Sequence, residues 1–134
     1  MGLYAYLWLF FVLSVFIYGV LVIIKYSKKK SMPAAQKKQF QKYLIQMSTK
    51  QTPKDKIIAY DVLYHKILLA LGYQWTFGKI LKEHPNEIGD INLVWELHKL
   101  RNKLVHELDT PSMIELEKKS SYFQKAVQNL LKEV

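Results

Sequence analysis

The residues best suited to chemistry in this chain lie together in its last third, in the run Arg101-Asn102-Lys103-Leu104-Val105-His106. The planar fork of an arginine binds phosphate or carboxylate oxygens, and a histidine can accept or donate a proton near neutral pH. An amide beside them can position either group through its donors and its acceptor. The run therefore carries the elements of an anion-binding site with a proton-transfer group close by.

A helix must position these side chains. Asp90 is a good N-cap residue, and apolar residues follow it at helical spacing until Thr110-Pro111 interrupts the pattern. This predicts a helix over residues 90–108 with one apolar face. The apolar residues that define the spacing are Ile91, Val94, Leu97, Leu100, Leu104 and Leu108.

Polar residues interrupt this apolar face. Arg101 projects from its middle, and His98, Asn102 and His106 follow one another at intervals of four along its border. A charged or amide group at a buried position is costly unless it has a partner. The row therefore requires a buried ion pair, an interface or a binding site.

One acidic residue is a candidate partner. Asp61 lies on the same face of a preceding helix as Ile57 and Tyr64, so it also points toward apolar neighbours. This predicts an Asp61–Arg101 ion pair inside the domain. The alternative is a solvent-accessible catalytic arginine, and the two are compatible if Asp61 only orients the guanidinium. His98 is interpreted as an interface or core histidine, with a supporting role at the site as the alternative.

The N-terminus predicts a membrane anchor. Residues 3–24 contain no charged residue and would form a helix about 33 Å long, enough to cross a hydrocarbon core of about 30 Å. A cleaved signal peptide is the alternative, but no basic residue precedes the run and lysines follow it directly. Residues 1–25 are therefore interpreted as a retained anchor. The lysines after the run then favour a single-pass protein of the plasma membrane, with its N-terminus outside and the rest in the cytoplasm.

The positive charge is concentrated beside this anchor. The chain has a net charge of +9, and residues 25–42 hold seven lysines and no acid. Lys25, Lys28, Lys29 and Lys30 are predicted to face the anionic inner leaflet of the membrane. Because the rest of the chain is nearly neutral, net charge gives little support to nucleic-acid binding. The absence of cysteine excludes disulfides and cysteine-ligated metals.

The remainder predicts a small all-α domain over residues 34–134, joined to the anchor by a basic linker over residues 26–33. Amphipathic segments predict helices over 34–48, from Thr52 to Leu71, over 90–108, and from Thr110-Pro111 to about Leu131 with Met113 in its apolar stripe. A short helix is expected near residues 77–82. The 34–48 segment could instead lie on lipid headgroups. The fold class is thus an N-terminal transmembrane helix followed by a small four-helix bundle.

The motif and the helix order together resemble a known family. The run from Arg101 to His106 fits the arginine–polar–three residues–histidine motif of HEPN domains, which are small all-α bundles with this motif on a late helix. The resemblance covers about residues 50–132, and it is especially close to the membrane-anchored, uncharacterised type found in bacteria with reduced genomes. It implies a homodimer in which the motif helices of two copies meet.

The resemblance also implies roles for residues. Many HEPN proteins are metal-independent endoribonucleases, and in that case His106 would be the general acid or base, Arg101 the phosphate-binding cation and Asn102 the positioning residue. Other HEPN domains have no activity and serve as binding or dimerisation modules. Neither a metal nor a small-molecule cofactor is expected, and RNA is a candidate partner beside the membrane.

Three functions therefore stay open from the sequence. The chain could be a non-catalytic module that builds a homodimer or partner interface at the membrane. It could be a membrane-tethered ribonuclease or RNA-binding protein that uses Arg101 and His106 across a homodimer. It could also be a membrane-surface or transport accessory without a role at nucleic acid.

Overall fold

The computed structural model describes residues 2–50 and 52–134, and the regular secondary structure of these residues is entirely helical, with no strand. The prediction of an all-α chain is therefore confirmed. The helices, in chain order, are α1 (Leu3–Ser27), α2 (Ala34–Ser48), α3 (Pro53–Ala70), α4 (Phe77–Lys82), α5 (Ile91–His106) and α6 (Met113–Glu133).

Helix α1 stands apart from the others. It has no buried residue, although nearly all of its side chains are large and apolar. Its 25 residues make it about 37 Å long, so it is long and apolar enough to cross a membrane. Because its side chains are exposed, it cannot be the core helix of the bundle that follows.

Helix α3 is the centre of the bundle formed by α2, α3, α5 and α6. It packs against the other three long helices, while the short α4 packs on α5. Thr52 caps its N-terminus by accepting a hydrogen bond from the Asp55 amide, and Pro53 occupies the first turn. Its end is fixed by Gly72, whose φ of 97° is unstrained only for glycine. The largest fully buried side chains of the core are Tyr60, Tyr64, Phe123, Ile57, Leu63, Ile67, Leu68, Ile80, Leu81, Leu97, Leu104 and Leu130.

Helix α2 belongs to this bundle. Phe40 and Leu44 are buried, and the helix packs against α3 and α6. The alternative of a helix lying on lipid headgroups would need this apolar face to be free. Of the two interpretations of the 34–48 segment, the structure supports the bundle helix.

Helix α5 ends earlier than the apolar spacing predicts. Its last residue is His106, and Glu107 has an extended backbone with φ of −111° and ψ of 148°. The prediction that Leu108 continues the apolar face is wrong, because Leu108 lies beyond the helix and is fully exposed. Proline disfavours helical backbone in the residue before it, and the Asp109-Thr110-Pro111 sequence favours a turn.

The start of α6 also differs from the prediction. Ser112, not Thr110-Pro111, caps the helix by accepting a hydrogen bond from the Glu115 amide. Met113 is 60% exposed, so its expected place in the core is wrong. The first buried residue of the helix is Leu116, one turn inside it.

The bundle has one end near the anchor and one end far from it. Asn86, before α5, donates a hydrogen bond to the Tyr26 carbonyl at 2.8 Å, and Glu133, at the end of α6, pairs with Lys29. Helix α5 leads away from this end for 16 residues, about 24 Å, and α6 returns. The α5–α6 connection and the two helical residues on each side of it, residues 105–114, are together called the distal tip.

Candidate functional site

Asp61 lies at the centre of a polar cluster between α3 and α5. Its side chain is buried, and one of its carboxylate oxygens accepts a hydrogen bond from His98 Nδ1 at 2.7 Å. The other oxygen lies 3.5 Å from Arg101 Nε. The predicted Asp61–Arg101 ion pair is confirmed, but the closer partner of Asp61 is His98.

The imidazole of His98 is fixed on several sides. Phe77 lies against it with ring centroids 4.6 Å apart, and the Trp95 ring centroid is 6.2 Å away. A Cβ added to Gly78 would meet His98 Nε2 at 3.7 Å, so α4 passes close to the ring. His98 is thus a partly buried histidine that packs beside the core and bonds to Asp61, so both interpretations drawn from the sequence remain predictions.

Asn102 closes the cluster into a ring of four residues. Its carbonyl oxygen accepts a hydrogen bond from Arg101 Nη1 at 2.9 Å, and its amide nitrogen lies 3.4 Å from His98 Nε2. A neutral His98 with its proton on Nδ1 satisfies every one of these contacts, because Nε2 is then free to accept from the amide. The four residues Asp61, His98, Arg101 and Asn102 are called the polar ring below.

Arg101 is held on one side and partly exposed on the other. Its Nε is buried and makes no hydrogen bond with a described residue, although it lies within ion-pair distance of Asp61. Its Nη2 donates to no acceptor in the described part of the chain, and the side chain is 28% exposed. The guanidinium is therefore held by two neighbours, and its Nη2 group, not the buried Nε, is the donor that could bind an anionic oxygen.

His106 lies outside the polar ring. It is the last residue of α5 and is exposed at the distal tip. Arg101 and His106 are five residues apart, which places them about 140° apart around the helix, whereas Asn102 and His106 are one turn apart. The structure thus brings together Asp61, His98, Arg101 and Asn102, and it leaves His106 exposed beyond them.

The remaining histidines have other roles. His65 Nε2 lies 3.0 Å from the Trp75 carbonyl, and its ring stacks on Phe77. His84 has a φ of 49°, in the left-handed region, at the turn after α4. Among residues 2–50 and 52–134, no group of three or more potential metal-binding side chains comes together.

The lysines beside the anchor lie against the bundle. Lys29 pairs with Glu133, and Lys30 Nζ lies 3.6 Å from the centre of the Tyr73 ring. Lys25 and Lys28 line a cavity at the end of α1. The segment from Lys28 to Pro33 is therefore packed on the domain along part of its length, although its composition is that of a flexible linker.

Glu87 holds this segment, and sequence reasoning did not single it out. Its carboxylate is buried and accepts hydrogen bonds from the Lys30 backbone amide and from the Tyr73 hydroxyl, the latter at 2.8 Å. The one signal in the sequence is an acid in the connection between α4 and α5, followed directly by Ile88 and Gly89. Nothing in that pattern indicates a partner nearly sixty residues earlier in the chain.

Tyr73 is expected to make the bundle sensitive to alkaline pH. Burial raises the pKa of its hydroxyl, and the bond to Glu87 raises it further. A raised pKa contributes stability that is fully present below pH 10, the usual value for tyrosine, and is lost as the pH rises above it. Between pH 10 and 12 the free energy of unfolding should therefore fall less steeply with rising pH in Tyr73→Phe than in the wild type. Identical slopes in the two proteins would contradict this.

The chain matches no protein-family model, no curated protein and no solved structure. The HEPN resemblance therefore depends on the motif, the helix order and the domain size.

Proposed function

We propose that this chain is a membrane-anchored, HEPN-like helical module that forms a homodimer or partner interface through the distal tip. In this proposal α1 spans the plasma membrane with its N-terminus outside, and the lysines that follow it lie at the inner leaflet. The bundle then projects into the cytoplasm with the tip at the end farther from the anchor. RNA is a candidate ligand of the assembled dimer.

The observation that carries this proposal is the exposed apolar surface of the distal tip. The exposed fractions are 104% for Leu108, 81% for Ile114, 60% for Met113 and 47% for Val105. A cluster of large apolar side chains in water is typical of an interaction surface. His106 lies among them, so a symmetric contact here would bring the motif ends of two copies together.

The polar ring supports the proposal indirectly. Its buried groups are mostly satisfied within one copy, so Asp61 and His98 need no partner from outside. Of the motif residues that the structure describes, the Nη2 of Arg101 and the exposed His106 remain for contacts beyond the chain. In this proposal the polar ring holds α5 in place against α3, while the distal tip forms the interface.

Cross-linking of the full chain in membranes tests the interface. Because the chain has no cysteine, a single Ser112→Cys variant reports whether two tips meet. We expect oxidation to form a cross-linked dimer, and the added pair Leu108→Asp and Ile114→Asp to reduce its yield at least about tenfold, since each apolar side chain contributes about 1.5–3 kcal/mol when buried. Ile45→Asp with Leu69→Asp, at exposed apolar positions on α2 and α3, is the matched control. An equal loss in the control, or no dimer in the parent, would contradict a tip interface.

A second candidate function is a metal-independent endoribonuclease. The observations that favour it are an exposed His106 and, five residues before it on α5, an Arg101 whose Nη2 has no acceptor among the described residues. A dimer through the tip would supply two histidines for proton transfer and two arginines for the charge on the phosphate. The variant that separates this activity from a binding module is His106→Ala.

A further inference from the structure

We infer that the cavity at the end of α1 is a site for the headgroup phosphate of an anionic phospholipid. This inference rests on the proposed membrane placement and adds a discrete lipid site to it. The cavity measures about 510 Å³, within the usual range of ligand sites. Its charged and polar lining comprises Lys25, Lys28, Lys30, Glu83, His84, Asn86 and Glu87.

The backbone that carries the lysines is fixed rather than free. Asn86 Nδ2 donates to the Tyr26 carbonyl at 2.8 Å, and the Lys30 amide donates to the buried Glu87 carboxylate. The end of α1 and the turn over residues 83–87 therefore form the two walls of one cavity. A flexible basic tail would attract anionic lipid in general, whereas fixed walls can select one headgroup.

The charges of the cavity favour an anion. Lys29 is paired with Glu133 and Lys30 lies over the Tyr73 ring, but Lys25 and Lys28 form no ion pair with the described residues. The two carboxylates in the lining are Glu83 and Glu87, and Glu87 accepts its two hydrogen bonds from neutral donors, so both count as negative charges. With Lys30 the lining has three lysines against two carboxylates, and this excess of one positive charge suits a phosphodiester, which carries a single negative charge.

His84 adds a second, independent observation. Its φ of 49° belongs to the left-handed region, where glycine would be free of strain. The position is the common one for glycine after a helix, yet an imidazole occupies it and lines the cavity. The side chain can donate a hydrogen bond to a phosphate oxygen, as can the Asn86 amide when its geometry allows.

The location selects a lipid as the source of the phosphate. Lys25 belongs to the last turn of α1, and Tyr26 follows it, as aromatic residues commonly do at membrane interfaces. The cavity therefore opens where the span leaves the hydrocarbon core, at the depth of the headgroups. Phosphodiester groups are concentrated there, and soluble phosphates are not.

The test measures lipid binding by the full chain in detergent micelles. Phosphatidylglycerol, phosphatidylcholine and inorganic phosphate are titrated separately, and bound lipid is counted by native mass spectrometry. We expect the wild type to bind phosphatidylglycerol at least tenfold more tightly than phosphatidylcholine. The double variant Lys25→Gln/Lys28→Gln should lose that preference, and His84→Gly should weaken it.

A matched control distinguishes binding at this cavity from a general effect of the net positive charge of the chain. Lys50→Gln/Lys54→Gln removes the same two charges near the turn between α2 and α3, about 22 Å along α2 from the anchor. An equal loss in this control, or no preference in the wild type, would overturn the inference. If inorganic phosphate binds tightly and phosphatidylglycerol is not preferred over phosphatidylcholine, a lipid headgroup is not the source of the bound phosphate. Failure of the chain to stay in alkali-washed membranes would instead refute the proposed anchor.

Discussion

Replacing Asp61 with alanine is expected to lower the free energy of unfolding of the bundle by about 3–5 kcal/mol, the usual cost of removing one partner from a buried ion pair. The carboxylate is the common acceptor for His98 and Arg101, at 2.7 Å and 3.5 Å. Without it, the guanidinium keeps its charge beside an apolar core and has only Asn102 as a partner. The imidazole also loses the bond that fixes its proton on Nδ1.

Thermal unfolding of the full chain in detergent, followed by tryptophan fluorescence to which Trp95 beside His98 contributes, measures this loss. A loss of that size should lower the midpoint by more than about 10 °C for a bundle of this length. Asp109→Ala removes an exposed carboxylate near the distal tip and is the matched control. A midpoint for Asp61→Ala equal to that of the control would refute the polar ring as a stabilising element.

A double-mutant cycle separates the two partners of Asp61. His98→Ala and Arg101→Ala are each combined with Asp61→Ala, and the coupling energy is taken from the four stabilities. The 2.7 Å bond and the deeper burial of His98 favour the larger coupling with that residue. Arg101 is more exposed and lies farther from the carboxylate, so solvent screens its interaction more strongly.

The sequence was sufficient to predict the elements that carry the polar ring. Helical spacing placed Asp61 among apolar neighbours on α3, and the structure buries it there. The same spacing placed Arg101 on the apolar side of α5. Two charges that share a small core must be partnered, which is why a contact between distant residues followed from a local pattern.

The closer contact with His98 was harder to predict. His98 precedes Arg101 by three residues, so both can reach one acceptor on α3. Spacing shows that two side chains share a helix face, but it does not show which of them lies nearer the facing helix. Helix α4 passes close to His98 at Gly78 and holds its imidazole toward Asp61 on α3, so His98 is the nearer partner.

The distal tip and the juxtamembrane segment show where local patterns fail. Leu108 fits the apolar spacing of α5, yet the backbone leaves the helix at Glu107 because a turn-forming sequence and Pro111 follow. The lysines after α1 have the composition of a free linker, yet Glu87 holds the segment through a backbone amide. A backbone amide carries no sequence signature, so this contact could not be predicted.

The two candidate functions differ most in what they expect of His106. Replacing His106 with alanine is expected to leave the thermal midpoint unchanged, because the side chain is exposed and lies outside the polar ring. If the chain cleaves RNA, the same substitution should lower the cleavage rate at least about 100-fold, the usual contribution of a general acid or base. Cleavage should also persist in EDTA, since the proposed chemistry uses no metal.

The measurement is single-turnover cleavage of a labelled RNA by the full chain in detergent, with His65→Ala as the control because His65 is bound to the Trp75 carbonyl away from the tip. An Arg101→Ala variant should also lose activity, and Leu108→Asp/Ile114→Asp should lose it together with the dimer, since each site needs two tips. Cleavage that survives in His106→Ala would remove the histidine from the mechanism. A wild-type dimer that binds RNA without cutting it would support the binding module over the endoribonuclease, with the distal tip as its interface and the polar ring holding α5 in place.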